Sequence, residues 1–101
     1  MKIFKDYLDN IEYPGPNSSW NIAGTVKGQN GFYKFDTRPL KNNAKGGSFK
    51  TKVDKIVCDI KDQYIIVDVE ELHNYLKENS LKVVKIEDLI SKLEWNIILP
   101  K

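Results

Sequence analysis

Lys52-Val53-Asp54-Lys55-Ile56-Val57-Cys58-Asp59-Ile60-Lys61-Asp62-Gln63-Tyr64-Ile65-Ile66-Val67-Asp68-Val69 is the stretch that decides the fold. Two runs rich in β-branched residues, Lys52 to Ile60 and Tyr64 to Val69, flank the short polar Lys61-Asp62-Gln63, which is the pattern of a strand pair joined by a turn. Ile65-Ile66-Val67 is apolar without alternation, so it belongs centrally in a sheet. Cys58 shares strand parity with Ile56 and Ile60 and therefore reads as a small apolar packing residue.

C-terminal to this pair, Asp68 is a good helix N-cap, and Glu71 three residues later has capping-box spacing. The helix it opens runs to about Glu78 and buries Val69, Leu72, Tyr75 and Leu76; Asn79-Ser80 ends it. Val83-Val84 favours a short strand. Glu87 to Leu93 is a second helix, with Ile86, Leu89, Ile90 and Leu93 on one face, and Trp95 to Leu99 is a final strand stopped by Pro100.

On the N-terminal side, Trp20 to Val26 alternates apolar residues and Phe32 to Phe35 is aromatic, so the two runs read as a β-hairpin around a glycine-containing loop. Ile3, Phe4, Tyr7, Leu8 and Ile11 fall at helical spacing, which predicts an amphipathic N-terminal helix ended by Tyr13-Pro14-Gly15-Pro16. The expected fold is a single α+β domain over 1–101. Its small antiparallel sheet has four to five strands, two hairpins plus a C-terminal strand, covered by the N-terminal helix and two C-terminal helices.

The chain has 101 residues, 41% hydrophobic and 30% charged, enough for one modest core. Its net charge of +2 is unevenly spread. Residues 1–33 are neutral; residues 34–55 carry Lys34, Arg38, Lys41, Lys45, Lys50, Lys52 and Lys55 against Asp36 and Asp54; residues 56–101 carry an acidic excess. All the basic residues but Arg38 are lysines, and the Lys-, Asn- and Ile-rich composition matches an AT-rich coding background. A single cysteine, no charge-flanked apolar leader and no apolar run long enough to span a bilayer predict a cytoplasmic protein without membrane contact.

The segment 37–52 is basic throughout, with Gly46-Gly47 at its turn, and a loop of that length in a small domain is more often functional than idle. Its candidate contact residues are Arg38, Lys41, Lys45, Gly46, Gly47, Phe49, Lys50 and Lys52: lysines neutralise phosphates or carboxylates, Gly-Gly-Ser turns backbone N–H groups toward an anion, and Phe49 is available for stacking. Trp20 and Tyr33 are candidate aromatic contacts beside it. Gly46-Gly47-Ser48 lacks P-loop spacing.

Asp54, Asp59-Ile60-Lys61 and Asp68-Val69-Glu70 invite comparison with the PD-(D/E)xK nucleases, whose acids gather a divalent metal. The arrangement departs from that pattern, since Asp59-x-Lys61 shares a strand with Asp54 and Asp68-x-Glu70 has no Lys. His73 and Cys58, one of each, do not make a zinc set. The expectation is therefore a non-enzymatic interaction protein without cofactor or metal. It binds a macromolecular partner, either an acidic protein groove or a protein–nucleic acid complex, in the manner of a phage or mobile-element inhibitor of a host defence nuclease (anti-CRISPR-like). Direct nucleic-acid binding is the alternative, and a metal-dependent nuclease the third.

Overall fold

Ile65, Ile66 and Val67 are fully buried in a strand with neighbours on both sides, as their unbroken apolar run predicts. The computed structural model describes every residue except 1, 2, 17, 19, 40–43, 47–52, 81 and 82, and gives the backbone alone for 38, 39, 44–46, 83–86 and 89. A 3-10 turn at Phe4–Tyr7 leads into the strands β1 (Leu8–Glu12), β2 (Ile22–Val26), β3 (Tyr33–Pro39), β4 (Ala44–Gly46), β5 (Lys55–Asp59) and β6 (Gln63–Asp68). Helix α1 (Val69–Glu78), strand β7 (Val83–Lys85), helix α2 (Ile86–Lys92) and strand β8 (Asn96–Pro100) follow.

The strands form a six-stranded sheet in the order β1-β2-β3-β5-β6-β8, and β4 pairs separately with β7. The sheet is mixed and curls into a half-barrel. Its two edges approach closely enough for the Tyr7 hydroxyl, beside β1, to donate to the carbonyl of Pro100 on β8. This corrects the expected antiparallel sheet of four to five strands under three helices.

Two physical reasons account for the difference. First, β3 and β5 pair in parallel, Phe35 opposite Lys55 and Pro39 opposite Asp59. A parallel pair needs a crossover of a dozen or more residues, and residues 40–54 supply it. The length of the basic segment thus has a topological cause. Second, the N-terminal apolar pattern makes no α-helix. Phe4 and Leu8 are buried from a 3-10 turn and the first residue of a strand, while Ile3 and Ile11, the ends of the helical pattern, stay 47% and 37% exposed. Asn10 sits at φ 56°, in the left-handed region that Asn tolerates, where the β1–β2 register shifts between Asp9 and Glu12.

The sheet divides the core into two. On the concave face Phe4, Leu8, Ile22, Val26, Phe35, Val57, Tyr64, Ile66 and Leu99 pack together, with the Phe4 ring edge-on to Phe35 at 5.2 Å. On the convex face Ile56, Cys58, Ile65 and Val67 meet Val69 and Leu72 of α1, with Tyr75 and Leu76 at the margin. Cys58 lies where its parity places it. The expected hairpin forms as β2–β3, and α1, α2 and β8 fall within a residue or two of their predicted ranges.

Candidate functional site

The last residue of β6 and the first residue of β5, Asp68 and Lys55, pair opposite one another, and strand alternation turns both toward the concave face. Lys55 Nζ lies 2.7 Å from Asp68 Oδ1. The same ammonium sits 3.9 Å from the centroid of the Trp95 ring and 4.5 Å from that of Tyr33, and only 8% of its side chain meets solvent. Two aromatic faces and a carboxylate replace the water that the ammonium gives up.

The other Asp68 oxygen accepts the Glu71 N–H at 3.0 Å, which makes Asp68 the N-cap of α1. Glu71 Oε1 in turn accepts the Trp95 N–H at 3.0 Å, so its carboxylate ties α1 to the segment before β8 in place of closing the expected capping box. The ring of contacts Lys55–Asp68–Glu71–Trp95 therefore joins sheet, helix and the approach to β8. Burial raises the Asp68 pKa, but the Lys55 hydrogen bond, the Glu71 N–H and the Lys55 charge outweigh it and hold the carboxyl below the ordinary aspartate value.

A cleft of about 540 Å³ opens beside this pair, lined by Tyr33, Asp54, Asp68, Glu70, His73 and Asn74 among others. A second of about 380 Å³ lies between α1 and residues 92–94, with Glu70, Glu71, Glu78, Lys92 and Glu94 on its walls. The described surface around α1 is thus acidic, opposite in sign to the segment 34–55.

Three of the acids singled out by sequence, Asp54, Asp68 and Glu70, line the first cleft, and Asp59 does not. Asp54 Oδ2 accepts the Lys34 N–H at 3.0 Å, Asp59 holds Lys101 Nζ at the far end of β5, and Asp68 caps α1. Among the described residues no group of three or more His, Cys, Asp or Glu is placed to hold a metal ion. His73 lines the first cleft.

Of the predicted contact residues, Arg38 extends β3 opposite Cys58, and Lys45 and Gly46 lie on β4 opposite Val84 and Val83. Lys41, Gly47, Phe49, Lys50 and Lys52 lie outside the described residues. Trp20 is half-buried against the convex core, with Lys34 Nζ 5.6 Å above its ring, whereas Tyr33 packs on the concave face against Trp95 and Phe35. The two aromatics serve opposite faces of the sheet. Sequence reasoning missed the Lys55 cage; the available sign was that Lys55 shares parity with the buried Val57.

No protein-family model, no curated protein and no solved structure matches this chain. Among the described residues no helix is long and apolar enough to cross a membrane.

Proposed function

We propose that the chain is a non-catalytic interaction protein that docks an acidic macromolecular surface, the groove of a protein or of a protein–nucleic acid complex, through the basic segment 37–52. The observation that carries this reading is the concentration of positive charge in the β3–β5 crossover, part of which is held to β7 by the backbone ladder Ala44–Gly46 against Val83–Lys85. A charged segment pinned at both ends and in its middle loses less conformational freedom on binding than a free tail of the same composition. The finer form of the proposal is an inhibitor of a host defence nuclease from a phage or mobile element; composition alone supports that step.

Two assays on the full chain test the proposal. Tagged protein is used to capture partners from native extract, alongside the fourfold Lys41→Glu, Lys45→Glu, Lys50→Glu, Lys52→Glu variant. A gel-shift series on duplex and single-stranded nucleic acid at rising salt runs in parallel. Retention of a specific protein that the variant fails to retain supports the reading. Tight binding to naked nucleic acid that collapses steeply with salt would replace it with direct nucleic-acid recognition.

A further inference from the structure

The connection between β2 and β3, residues 27–32, is exposed throughout and contains Asn30-Gly31, the only Asn-Gly of the chain. Among the described residues no hydrogen bond engages the Asn30 side chain or the Gly31 N–H. The other described asparagines are restrained. Asn21 Oδ1 accepts the Thr37 N–H at 2.7 Å, Asn79 Nδ2 donates to the Tyr75 carbonyl at 2.9 Å, and Asn96 Nδ2 donates to the Leu93 carbonyl at 2.9 Å. Asn10 and Asn74 precede Ile11 and Tyr75, whose side chains crowd the amide nitrogen that follows each asparagine, and Asn74 lies inside α1.

Gly31 is also where this loop meets the Lys55 cage. It holds φ +106°, and the Tyr33 hydroxyl lies 2.7 Å from where a Cβ would stand, so the Tyr33 ring packs directly on the Gly31 backbone. The centroid of that ring is 4.5 Å from Lys55 Nζ and 6.2 Å from the centroid of the Trp95 ring. A change in the length of main chain entering Gly31 is therefore passed to one wall of the cage.

We propose that Asn30-Gly31 is a site of spontaneous deamidation whose isoaspartyl product displaces Tyr33 from Lys55. The Gly31 nitrogen attacks Asn30 Cγ: an N–Cγ bond forms, the Cγ–Nδ2 bond breaks, and the proton from the Gly31 nitrogen leaves with the amide nitrogen as ammonia. Gly31 has no Cβ to obstruct this approach, and no hydrogen bond among the described residues holds either group back. Water then opens the succinimide. Cleavage of the new N–Cγ bond leaves an aspartyl residue and the original main chain. Cleavage of the old peptide C–N bond leaves isoaspartate, with the Asn30 methylene now inside the main chain. Both products add a negative charge to the loop, but only isoaspartate lengthens the backbone, so it alone pushes the ring.

The test is to hold the full chain in neutral buffer at physiological temperature and follow each asparagine by peptide mapping, with fragmentation that separates aspartyl from isoaspartyl. Cleavage after Lys27 and Lys34 gives a peptide in which Asn30 is the single asparagine. Asn30 should convert before any other asparagine, with isoaspartate among the products. The aged protein should show an altered near-ultraviolet circular dichroism spectrum and a lower urea midpoint. Asn30→Gln, aged alongside, should keep both. Freshly made Asn30→Asp, which carries the charge on an unlengthened backbone, should keep the parent spectrum. Earlier conversion at another asparagine, an Asn30 that stays an amide, an isoaspartyl protein with the parent spectrum, or an Asn30→Asp protein that already shows the altered one overturns the proposal.

Discussion

Lys55 and Asp68 face each other across β5 and β6 and are also joined by an ion pair at 2.7 Å, enclosed by the rings of Tyr33 and Trp95. One cross-strand contact thereby fixes the strand register, caps α1 and anchors Trp95.

Removing one partner of this pair should cost more than neutralising it conservatively. Asp68→Ala leaves the Lys55 ammonium buried without its carboxylate and strips the α1 cap, so a loss of roughly 2–4 kcal/mol is expected. Lys55→Met keeps the aliphatic packing between the two rings and leaves the Asp68 charge at a position that water reaches, so its cost should be about half as large. Urea unfolding midpoints of the two variants give the comparison. Equal midpoints would show that neither the lost cap nor the orphaned ammonium adds to the cost of losing Asp68.

The same pair sets an acid dependence. The folded Asp68 pKa is depressed, so its contribution is complete above the unfolded aspartate value of about 3.9 and disappears as pH falls through the lower folded value. The gap in thermal midpoint between the parent and Asp68→Asn should therefore stay constant near neutrality and narrow below about pH 4. A gap that widens on acidification contradicts the sign of the shift.

Leu72 is fully buried where α1 meets Ile56, Ile65 and Val67, while Leu76 lies at the margin of the same cluster. Leu72→Ala should destabilise by roughly 2–5 kcal/mol, and Leu76→Ala by distinctly less. Calorimetry of both variants reads whether α1 closes the convex core as described.

Gly31 holds φ +106° with the Tyr33 hydroxyl 2.7 Å from where a Cβ would stand; Gly28 holds φ +85° in open space. Gly28→Ala should cost about 1 kcal/mol of backbone strain, and Gly31→Ala should add displacement of Tyr33 from the Lys55 cage. Near-ultraviolet circular dichroism, which follows the aromatic environment, should change for Gly31→Ala and not for Gly28→Ala.

Much of this architecture is legible in residue patterns. Alternation and β-branching mark β2, β5, β6 and β8, and Asp68 marks the start of α1, because those signals arise from local backbone chemistry. What the sequence does not carry is which strands become neighbours. The parallel β3–β5 pairing depends on a crossover that reads only as a long basic loop, and the Phe4, Tyr7, Leu8 spacing suits a turn plus strand as well as a helix, since burial rather than propensity decided it. In the sequence Lys55 is one more charge of the basic segment 34–55, because its cage is assembled from Tyr33, Asp68 and Trp95, residues remote in sequence and joined only by the fold.

The proposed role of the segment 37–52 is tested most directly by the fraction of partner that the full chain retains from native extract, compared with the variant bearing Glu at Lys41, Lys45, Lys50 and Lys52. Both proteins should show the same thermal midpoint, and the variant should lose the partner by roughly tenfold or more. Equal retention by two equally folded proteins would contradict the account.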